Sequence, residues 1–273
     1  MPSVLITGAG RGIGRAIAQR LVSEGWTVFA GVRDEGSAPP GTSPVILDVT
    51  DPQHLADLPG ALPESLDALV NNAGIVVSGP VEGLSPQDLR SQFDVNVLGL
   101  VAVTAAVLPL LRAATGRIVH IGSLSGRIST PMTGAYNASK YAVEALADAQ
   151  RIELRPWGIS VSVVEPGPVD TDIWRDAPST LARAAKSLAR STQDLYSPHI
   201  GGMRRTIRFV QRSTVSSETI AEKVATVLAA RRPRARYPVG RGARLQLVAT
   251  SVTPTWLLDR VLAAGTGIPA RIP

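Results

Sequence analysis

VLITGAGRGIG, residues 4–14, is the stretch of sequence that decides the fold of this chain. Four residues typical of a buried strand run directly into a turn with a glycine at every second position. A helical pattern follows, with Ile13, Ile17 and Leu21 on one face. Glycines in such a turn let backbone N–H groups approach a pyrophosphate, which binds at the positive N-terminus of the helix. The stretch therefore predicts a dinucleotide-binding unit of strand, turn and helix.

Further strand-like runs alternate with helix-length segments along the chain. Six strands are predicted in this pattern, at residues 4–7, 27–32, 45–47, 67–70, 116–121 and 159–164. A seventh run, 236–239, contains Pro238, which cannot donate a hydrogen bond to a neighbouring strand, so we expect it at the edge of the sheet. No internal repeat or linker-like stretch divides the chain. The pattern predicts an α/β protein with a Rossmann-type, doubly wound parallel sheet of about seven strands in a single domain, residues 1–273.

Composition excludes several kinds of site. The 273 residues are 44% hydrophobic and 18% charged and include no cysteine, so disulfides and thiolate metal sites are excluded. The three histidines lack metal-ligand spacing, and we expect no metal. Met1 leads straight into a strand-like run without a basic leader, and the apolar run 95–111 is interrupted by Asn96 and Pro109. We therefore expect a cytoplasmic protein without a membrane-spanning helix.

Charge is distributed unevenly. Residues 1–174 carry a net charge of −6, whereas residues 175–273 carry +12. A basic segment of this kind suits phosphate, nucleic acid or an anionic membrane surface, and the alternative is an arginine-rich surface without any polyanionic partner. No recognition motif or interleaved aromatic pattern indicates nucleic acid, so we expect no nucleic-acid partner. Peripheral membrane contact through the basic third remains as an alternative.

Tyr136 and Lys140 form the most reactive pair in the sequence. Residues four apart on a helix share one face, so the ammonium group can lie beside the phenol. A nearby cation favours the phenolate and lowers the tyrosine pKa from about 10 towards the range of a general acid or base. Ser123 follows the apolar run 118–121, at the carboxyl end of a predicted strand, where α/β sheets bind ligands. Its hydroxyl could therefore hydrogen-bond the same substrate oxygen that Tyr136 protonates.

The end of the second predicted strand bears on the choice of cofactor. A cofactor without a 2′-phosphate is usually held there by an acidic residue, yet this position holds Gly31. Arg33 and Arg11 offer positive charge that suits a 2′-phosphate. We therefore predict NADP(H) as the preferred cofactor, with NAD(H), its ribose held by Asp34, as the alternative.

Five motifs occur in an order that resembles the short-chain dehydrogenase/reductase family, over roughly residues 3–240. They are TGAGRGIG at 7–14, NNAG at 71–74, Asn96, Ser123 with Tyr136-x-x-x-Lys140, and PGPVDT at 166–171. Three shorter phrases resemble the hydroxysteroid and retinol dehydrogenase branch: Val-Arg-Asp at 32–34, Val-Glu-Pro-Gly-Pro-Val at 164–169 and Arg-Tyr-Pro-Val-Gly at 236–240.

The resemblance implies a catalytic tetrad. Tyr136 would be the general acid/base, Ser123 would orient the substrate oxygen, and Lys140 would lower the tyrosine pKa and bind the nicotinamide ribose. Asn96 would open its helix locally and hold a water linked to the lysine; the alternative is a hydrogen-bonded core asparagine. Ser125 competes with Ser123, but the thirteen-residue spacing to Tyr136 favours Ser123.

The resemblance also implies a set of cofactor-binding residues. We expect Asp48 to contact the adenine, although it could be a simple turn residue. Residues 166–171 would hold the nicotinamide carboxamide. The full predicted set is Thr7, Gly8, Gly10, Arg11, Gly12, Ile13, Gly14, Arg33, Asp48, Val49, Asn72, Ala73, Gly74, Tyr136, Lys140, Pro166, Gly167, Val169 and Thr171.

The remaining segments bear on substrate and assembly. Mixed periodicity over residues 174–215 indicates a long irregular insertion, which we interpret as a helical substrate lid, and residues 241–273 are predicted to be a helical extension. Apolar lid residues favour a lipophilic ketone or secondary alcohol, such as a steroid or retinoid; a polyketide-like or small aromatic ketone is the alternative.

The helix after Tyr136 is rich in alanine, and the resemblance implies that it forms a homodimer or homotetramer. A rival function is a cofactor-binding sensor without catalysis.

Overall fold

Residues 1–211, 214–240 and 242–269 are described by the computed structural model, and the strands within them form one parallel sheet. The strand order is β3-β2-β1-β4-β5-β6-β7. The strands are β1 (Ser3–Thr7), β2 (Thr27–Val32), β3 (Ser43–Ile46), β4 (Ala68–Asn71), β5 (Arg117–Ile121), β6 (Ser160–Pro166) and β7 (Arg236–Val239). The predicted doubly wound sheet is confirmed, and β7 lies at the predicted edge. Only β3 differs noticeably, because pairing with β2 begins at Ser43 rather than at Val45.

Helices connect the strands and cover both faces of the sheet. Their bounds are α1 (Gly12–Ser23), α2 (Pro52–Asp57), α3 (Pro86–Phe93), α4 (Gly99–Ala114), α5 (Gly134–Glu153), α6 (Asp172–Arg175), α7 (Ala177–Ser187), α8 (Arg190–Val210), α9 (Ser217–Ala229), α10 (Ala243–Val252) and α11 (Thr255–Thr266). Short 3₁₀ turns lie between several of them, and a π-helical segment, Asp94–Leu98, joins α3 to α4.

The core has one apolar layer on each side of the sheet. In β1 every residue is buried, and alternate side chains enter opposite layers: Val4 and Ile6 pack with α1 and α9, whereas Leu5 packs with α4 and α5. This arrangement explains why the strands read as continuous apolar runs rather than as alternating ones.

The run from Pro86 to Ala114 is long and apolar enough, by length and composition alone, to cross a membrane. It is longer than the apolar stretch 95–111 because α3 continues through the π-helical segment into α4 without a break. Val103, Val107 and Leu111 are fully buried and belong to the core layer that covers the sheet. Packing inside the protein therefore accounts for the apolar character of the inner face of α4, whereas Val101 lies on its exposed face.

The insertion after β6 is helical, as expected for the lid, although its mixed periodicity had indicated a long irregular segment. Helices α6, α7 and α8 occupy most of residues 172–210, because apolar side chains on α7 and α8 pair to form a small core of their own with Met132. The ends of the insertion meet: Val215 N donates to Pro168 O at 2.9 Å, and Asp170 N donates to Val215 O at 2.8 Å. Arg212 and Ser213, within the predicted lid, lie outside the described residues.

The predicted helical extension contains α10 and α11, whereas Arg241 and residues 270–273 lie outside the described residues. Helix α11 packs on α8, where Thr206 Oγ1 donates to Gly265 O at 3.1 Å. Only Ala243 of α10 and Thr266 of α11 are buried. The apolar side chains of these two helices are therefore mostly exposed.

The buried face of α4 gives a stability prediction. Truncating Leu111 to alanine should lower the free energy of unfolding by about 2–5 kcal/mol, because it leaves a cavity in a fully buried site. The same substitution at Leu195, which is 56% exposed on α8, should change it by no more than about 0.5 kcal/mol. Urea unfolding followed by circular dichroism measures both, and equal losses would contradict the packing described here.

Candidate active site

The candidate site begins where the strand order reverses, between β1 and β4. Thr7 Oγ1 accepts hydrogen bonds from the backbone N–H groups of Asn72 and Ala73, both at 2.9 Å. The side-chain amide of Asn72 donates from Nδ2 to Thr7 O at 2.9 Å and to Gly8 O at 3.1 Å. These bonds hold the ends of the two strands at the switch point, where α/β sheets bind ligands. The predicted residues Thr7, Gly8, Asn72 and Ala73 thus lie together.

The glycine turn that follows β1 leaves helical N–H groups without a partner from a capping side chain. Gly8 and Gly12 have φ angles of 64° and 54°, which favour glycine. A Cβ on Gly14 would lie 2.3 Å from Gly8 O, so the turn and the helix can approach this closely only with glycine there. Arg11 at the N-cap makes no side-chain capping bond, and the first turn of α1 has no acidic residue. The predicted pyrophosphate would fit this end of the helix.

The loop after β2 packs against this turn. Gly10 lies so close to Ser37 that an added Cβ would be 2.8 Å from its hydroxyl oxygen. Arg15, which the sequence reasoning missed, donates from Nη1 to Gly10 O at 3.2 Å and to Ser37 O at 3.4 Å. Arg33 is exposed at the end of β2, as predicted. Arg11 lies elsewhere: its Nη1 is 3.9 Å from Asp172 Oδ2.

The Asp48 carboxyl group closes a turn by hydrogen-bonding Thr50. Its Oδ1 accepts bonds from Thr50 N at 2.9 Å and Thr50 Oγ1 at 2.7 Å, and these bonds lower the pKa of the carboxyl group. The turn that they close places buried Val49 against α4, where a Cβ on Gly99 would meet Val49 O at 2.9 Å. The turn interpretation of Asp48 is therefore sufficient to explain its contacts.

The loop after β6 faces the glycine turn. Gly167 N donates to Val239 O at 2.8 Å, which fixes the start of the loop on β7. Val169 and Thr171 are buried, and the Thr171 methyl carbon lies 3.5 Å from where a Cβ on Gly12 would be. Together with Pro166 at the end of β6, the predicted residues of this loop lie on the same side as the glycine turn, so one ligand can contact both.

Asn96 is 2% exposed and lies in the π-helical segment between α3 and α4. Its Oδ1 accepts from Ile75 N at 2.9 Å, and its Nδ2 donates to Ile75 O and to Ser139 Oγ, both at 3.1 Å. The helix opens here as expected, and Gly74 lies beside the Asn96 amide. The side chain also satisfies the alternative interpretation, a core asparagine with all its bonds made within the protein.

Ser123, Tyr136 and Lys140 meet at the carboxyl end of β5. The Ser123 side chain interacts with the Tyr136 phenol and lowers its pKa, and Ser123 Oγ accepts from Ser125 N at 3.1 Å. Lys140 Nζ lies 5.9 Å from the centroid of the Tyr136 ring and donates to Ile121 O at 2.7 Å. Helix α5 therefore presents the phenol and the ammonium group on one face, and Ser125 supports Ser123 through its backbone rather than replacing it.

The expectation that Lys140 lowers the tyrosine pKa is wrong for the protein by itself. Burial raises the pKa of Tyr136 above its usual value of 10.0, and the Ser123 hydrogen bond offsets this only in part. Burial also lowers the pKa of Lys140 to about 8. The phenolate is a charge in a poorly solvated place, and that cost exceeds the attraction of an ammonium group that is not in direct contact. Tyr136 is consequently a protonated phenol at neutral pH.

A cavity of about 270 Å³ opens beside the start of α5. Gly79, in its wall, donates from N to Met132 O at 2.8 Å, four residues before Tyr136. The lining combines apolar and polar side chains from the segment after β4 and from α7: Val76, Val77, Ser78, Leu84, Asp88, Thr180, Arg183, Ala184, Ser187 and Leu188. It can accept a molecule with an apolar body and a polar group.

Several residues with well-defined contacts escaped the sequence reasoning. Gln92 is fully buried; its Oε1 accepts from Val77 N at 2.7 Å and its Nε2 donates to Ile75 O at 2.9 Å, so it orders the segment after β4. Its position four residues before Asn96, on the same helical face, was the available signal. Glu165 is the one charged residue in β6, which was also visible in the sequence.

Comparison with known proteins agrees with this geometry. The sequence model for short chain dehydrogenases matches residues 2–182. The chain is 31% identical to an NADPH-dependent 3-dehydrocapnine reductase of Ornithobacterium rhinotracheale, covering 96% of each chain, and 33% identical to retinol dehydrogenase 7 of Rattus norvegicus, covering 98% of this chain and 90% of the other. A short-chain dehydrogenase structure from Streptomyces avermitilis aligns with a TM-score of 0.78 at 27% identity, covering 98% and 99%.

These matches confirm the family and the branch that the motifs indicated. The match to a retinol dehydrogenase extends through the lid and the C-terminal helices, beyond the region that the family model covers. An oxidoreductase function follows from the family. This chain belongs to the short-chain dehydrogenase/reductase family, near its retinol and hydroxysteroid dehydrogenase branch.

Proposed function

We propose that this protein is an NADP(H)-dependent reductase that converts a lipophilic ketone into a secondary alcohol, with Tyr136 as the proton donor. The observation that carries the proposal is the meeting of Ser123, Tyr136 and Lys140 at the end of β5. These groups lie at the carboxyl ends of the parallel strands, the same side of the sheet on which the glycine turn follows β1.

Each residue has a distinct part in the proposed reaction. When bound, NADPH supplies the hydride for the carbonyl carbon. Tyr136, protonated at neutral pH, transfers its phenolic proton to the oxygen as hydride transfer turns the carbonyl into an alkoxide, which is a stronger base than a phenolate. Ser123 hydrogen-bonds the same oxygen and stabilises the negative charge that develops on it. Lys140, held by Ile121 O, keeps a positive charge near the phenolate that forms and would bind the nicotinamide ribose.

Three features support NADP(H). Gly31 has no carboxylate for a ribose hydroxyl, and an added Cβ would lie 3.0 Å from Ile6 O, so a larger residue is disfavoured. Arg33, exposed directly after β2, and Arg15, which binds the loop after β2 at Ser37 O, supply positive charge, although Asp34 remains for a ribose hydroxyl. A relative that covers 96% of this chain is named as NADPH-dependent.

A lipophilic substrate is supported by the insertion after β6, which we propose as the lid, residues 174–215. Buried Leu181, Ile200, Met203 and Ile207 form its small core, and Met132 joins them from the loop before α5. Leu188 lines the cavity and packs on Gly83. The names of the relatives, a retinol dehydrogenase among them, agree with an alcohol or ketone on an apolar body.

We also propose a homodimer, or a homotetramer built from it, in which α4 and α5 of two copies pack together. The exposed surfaces of these helices carry apolar side chains that no element of the described chain covers: Leu98, Val101, Tyr141 and Ile152.

Replacing Tyr136 with phenylalanine should lower kcat by about 100-fold or more while NADPH binding persists, because the variant loses only the transferable proton. Tyr141→Phe is the matched control: Tyr141 lies on the same helix, is 43% exposed and should retain full activity. Nicotinamide absorbance with a panel of steroid, retinoid and aromatic ketones measures turnover, and cofactor fluorescence measures binding. A Tyr136→Phe enzyme with most of its activity would refute the mechanism. Cofactor binding without turnover of any ketone by the wild type would favour a sensor.

Replacing Arg33 with alanine should weaken NADPH binding by about 10-fold or more and leave NADH binding nearly unchanged, since one charge-assisted bond to the 2′-phosphate is lost. Arg90→Ala, at an exposed arginine on α3, is the control and should change neither. Fluorescence titrations with both nucleotides measure this difference. Equal losses for both would show that Arg33 does not read the 2′-phosphate.

We propose peripheral membrane contact as a second property, favoured by α10 and α11. Leu245, Val248 and Val252 are 73%, 61% and 75% exposed along one face of α10, and Trp256 follows on α11. Apolar helices with a nearby tryptophan and basic residues suit the surface of an anionic membrane. The expected cytoplasmic location stays a prediction.

Cosedimentation tests this contact. The protein should bind vesicles of phosphatidylglycerol more than vesicles of phosphatidylcholine, and binding should fall at high salt. Replacing Leu245, Val248 and Val252 with serine should remove it, whereas Val81→Ser, at an exposed valine outside the basic third, should not. Absence of binding to either vesicle would contradict the proposal.

A further inference from the structure

Two buried carboxyl groups, one of which acts on the proposed catalytic lysine, have no part in the mechanism above. Glu144 is one helical turn beyond Lys140 on α5, and Glu165 lies near the end of β6. Their side chains are 7% and 0% exposed, respectively. Carboxylates are almost never buried to this extent unless they are paired. Two of them in one place therefore call for a specific role.

The available hydrogen bonds do not satisfy the two groups. Arg236 donates from Nε to Glu144 Oε2 at 2.9 Å and from Nη2 to Asp148 Oδ2 at 2.7 Å. Arg127 approaches Glu165 only to 3.8 Å. Within the described residues, Glu144 Oε1 and both carboxyl oxygens of Glu165 accept no hydrogen bond. A buried carboxylate with unpaired oxygens gains by holding a proton.

Electrostatics agrees with a shared proton. Burial and then the neighbouring Glu144 raise the pKa of Glu165 to about 7, although Arg127 and Arg236 oppose this. Burial also raises the pKa of Glu144. On β5, His120 is uncharged at neutral pH, because burial lowers its pKa to about 4. The charges that face the pair are thus Lys140, Asp148, Arg127 and Arg236.

Glu144 also supports the loop that bears Ser123. Its Oε1 lies 3.1 Å from where a Cβ on Gly122 would be, and its Cγ lies 3.1 Å from where a Cβ on Gly126 would be. The two glycines on either side of Ser123 therefore make room for the Glu144 side chain. On its own helix, the Glu144 charge raises the pKa of Lys140 against the effect of burial. One carboxyl group thus contacts the serine loop and acts on the lysine.

We propose that Glu144 and Glu165 form a buried carboxyl pair that holds one proton at neutral pH and positions the catalytic groups. Glu144 supplies the negative charge that keeps Lys140 in its ammonium form, and Glu165 carries the proton that lets the second carboxyl group remain buried. Both are positioning residues, since neither contacts Tyr136. The role in turnover rests on the proposed function, whereas the shared proton does not.

The effect on catalysis is tested by the pH profile of ketone reduction. Glu144→Gln retains a group that can accept from Arg236 but lacks the charge, so Lys140 should lose its proton earlier. On a plot of kcat against pH, the alkaline limb should therefore shift to lower pH by about one unit. Glu153→Gln, at an exposed carboxyl group at the end of the same helix, should leave the profile unchanged. An unmoved alkaline limb in Glu144→Gln would overturn the role assigned to Glu144.

The shared proton is tested without activity, by the Tm of wild type and Glu165→Gln as a function of pH. A carboxyl pKa that folding raises contributes stability below the unfolded value, near 4.5, and this stability is lost as pH rises through about 7. The wild-type Tm should therefore fall by several degrees relative to Glu165→Gln between about pH 5 and about pH 8. If the Tm of wild type and of Glu165→Gln changed with pH in parallel, Glu165 would not hold the proposed proton and the carboxyl pair would be overturned. An active Tyr136→Phe enzyme would instead refute the reaction mechanism, and the Tm curves would still decide the pair.

Discussion

The hydrogen bonds between Thr7 and the Asn72–Ala73 backbone are the constraint on which the site depends. They tie β1 to β4 where the strand order reverses. The side-chain amide of Asn72 strengthens this link by donating hydrogen bonds to Thr7 O and Gly8 O. The glycine turn is thereby fixed to the middle of the sheet. The N-terminus of α1 therefore lies on the same side of the sheet as the carboxyl ends of β5 and β6. The proposed cofactor and reaction sites are consequences of that alignment.

Helix α5 combines structural and chemical roles. Its exposed side carries Tyr141, and its inner side carries Tyr136, Lys140 and Glu144 in successive turns. Burial dominates the chemistry of this inner side: it raises the pKa of the phenol and of the glutamate and lowers that of the lysine. Burial thus shifts each group towards its uncharged form; at neutral pH the Tyr136 phenol is protonated, whereas Lys140, with a pKa of about 8, keeps its ammonium charge.

Particular residues show what could be predicted and what could not. Regular patterns revealed the strands, the glycine turn, the helix positions of Tyr136 and Lys140 and the family itself. A helical lid was expected, but the bounds of α7 and α8 and their packing on one another rather than on the sheet were not predicted, because that packing joins residues far apart in the chain. Arg15 was missed because its role depends on Ser37, a residue 22 positions away.

The sequence by itself determined the doubly wound sheet and the family and nominated the proposed reacting side chains, because these follow from local periodicity and from motifs with fixed spacing. Tertiary structure alone decided the electrostatics. Whether Lys140 lowers the tyrosine pKa depends on how far solvent is excluded, and whether Glu165 keeps a proton depends on Glu144, Arg127 and Arg236, which come from different elements. Charge interactions act through space and scale with burial, and neither is encoded in the spacing of residues along the chain.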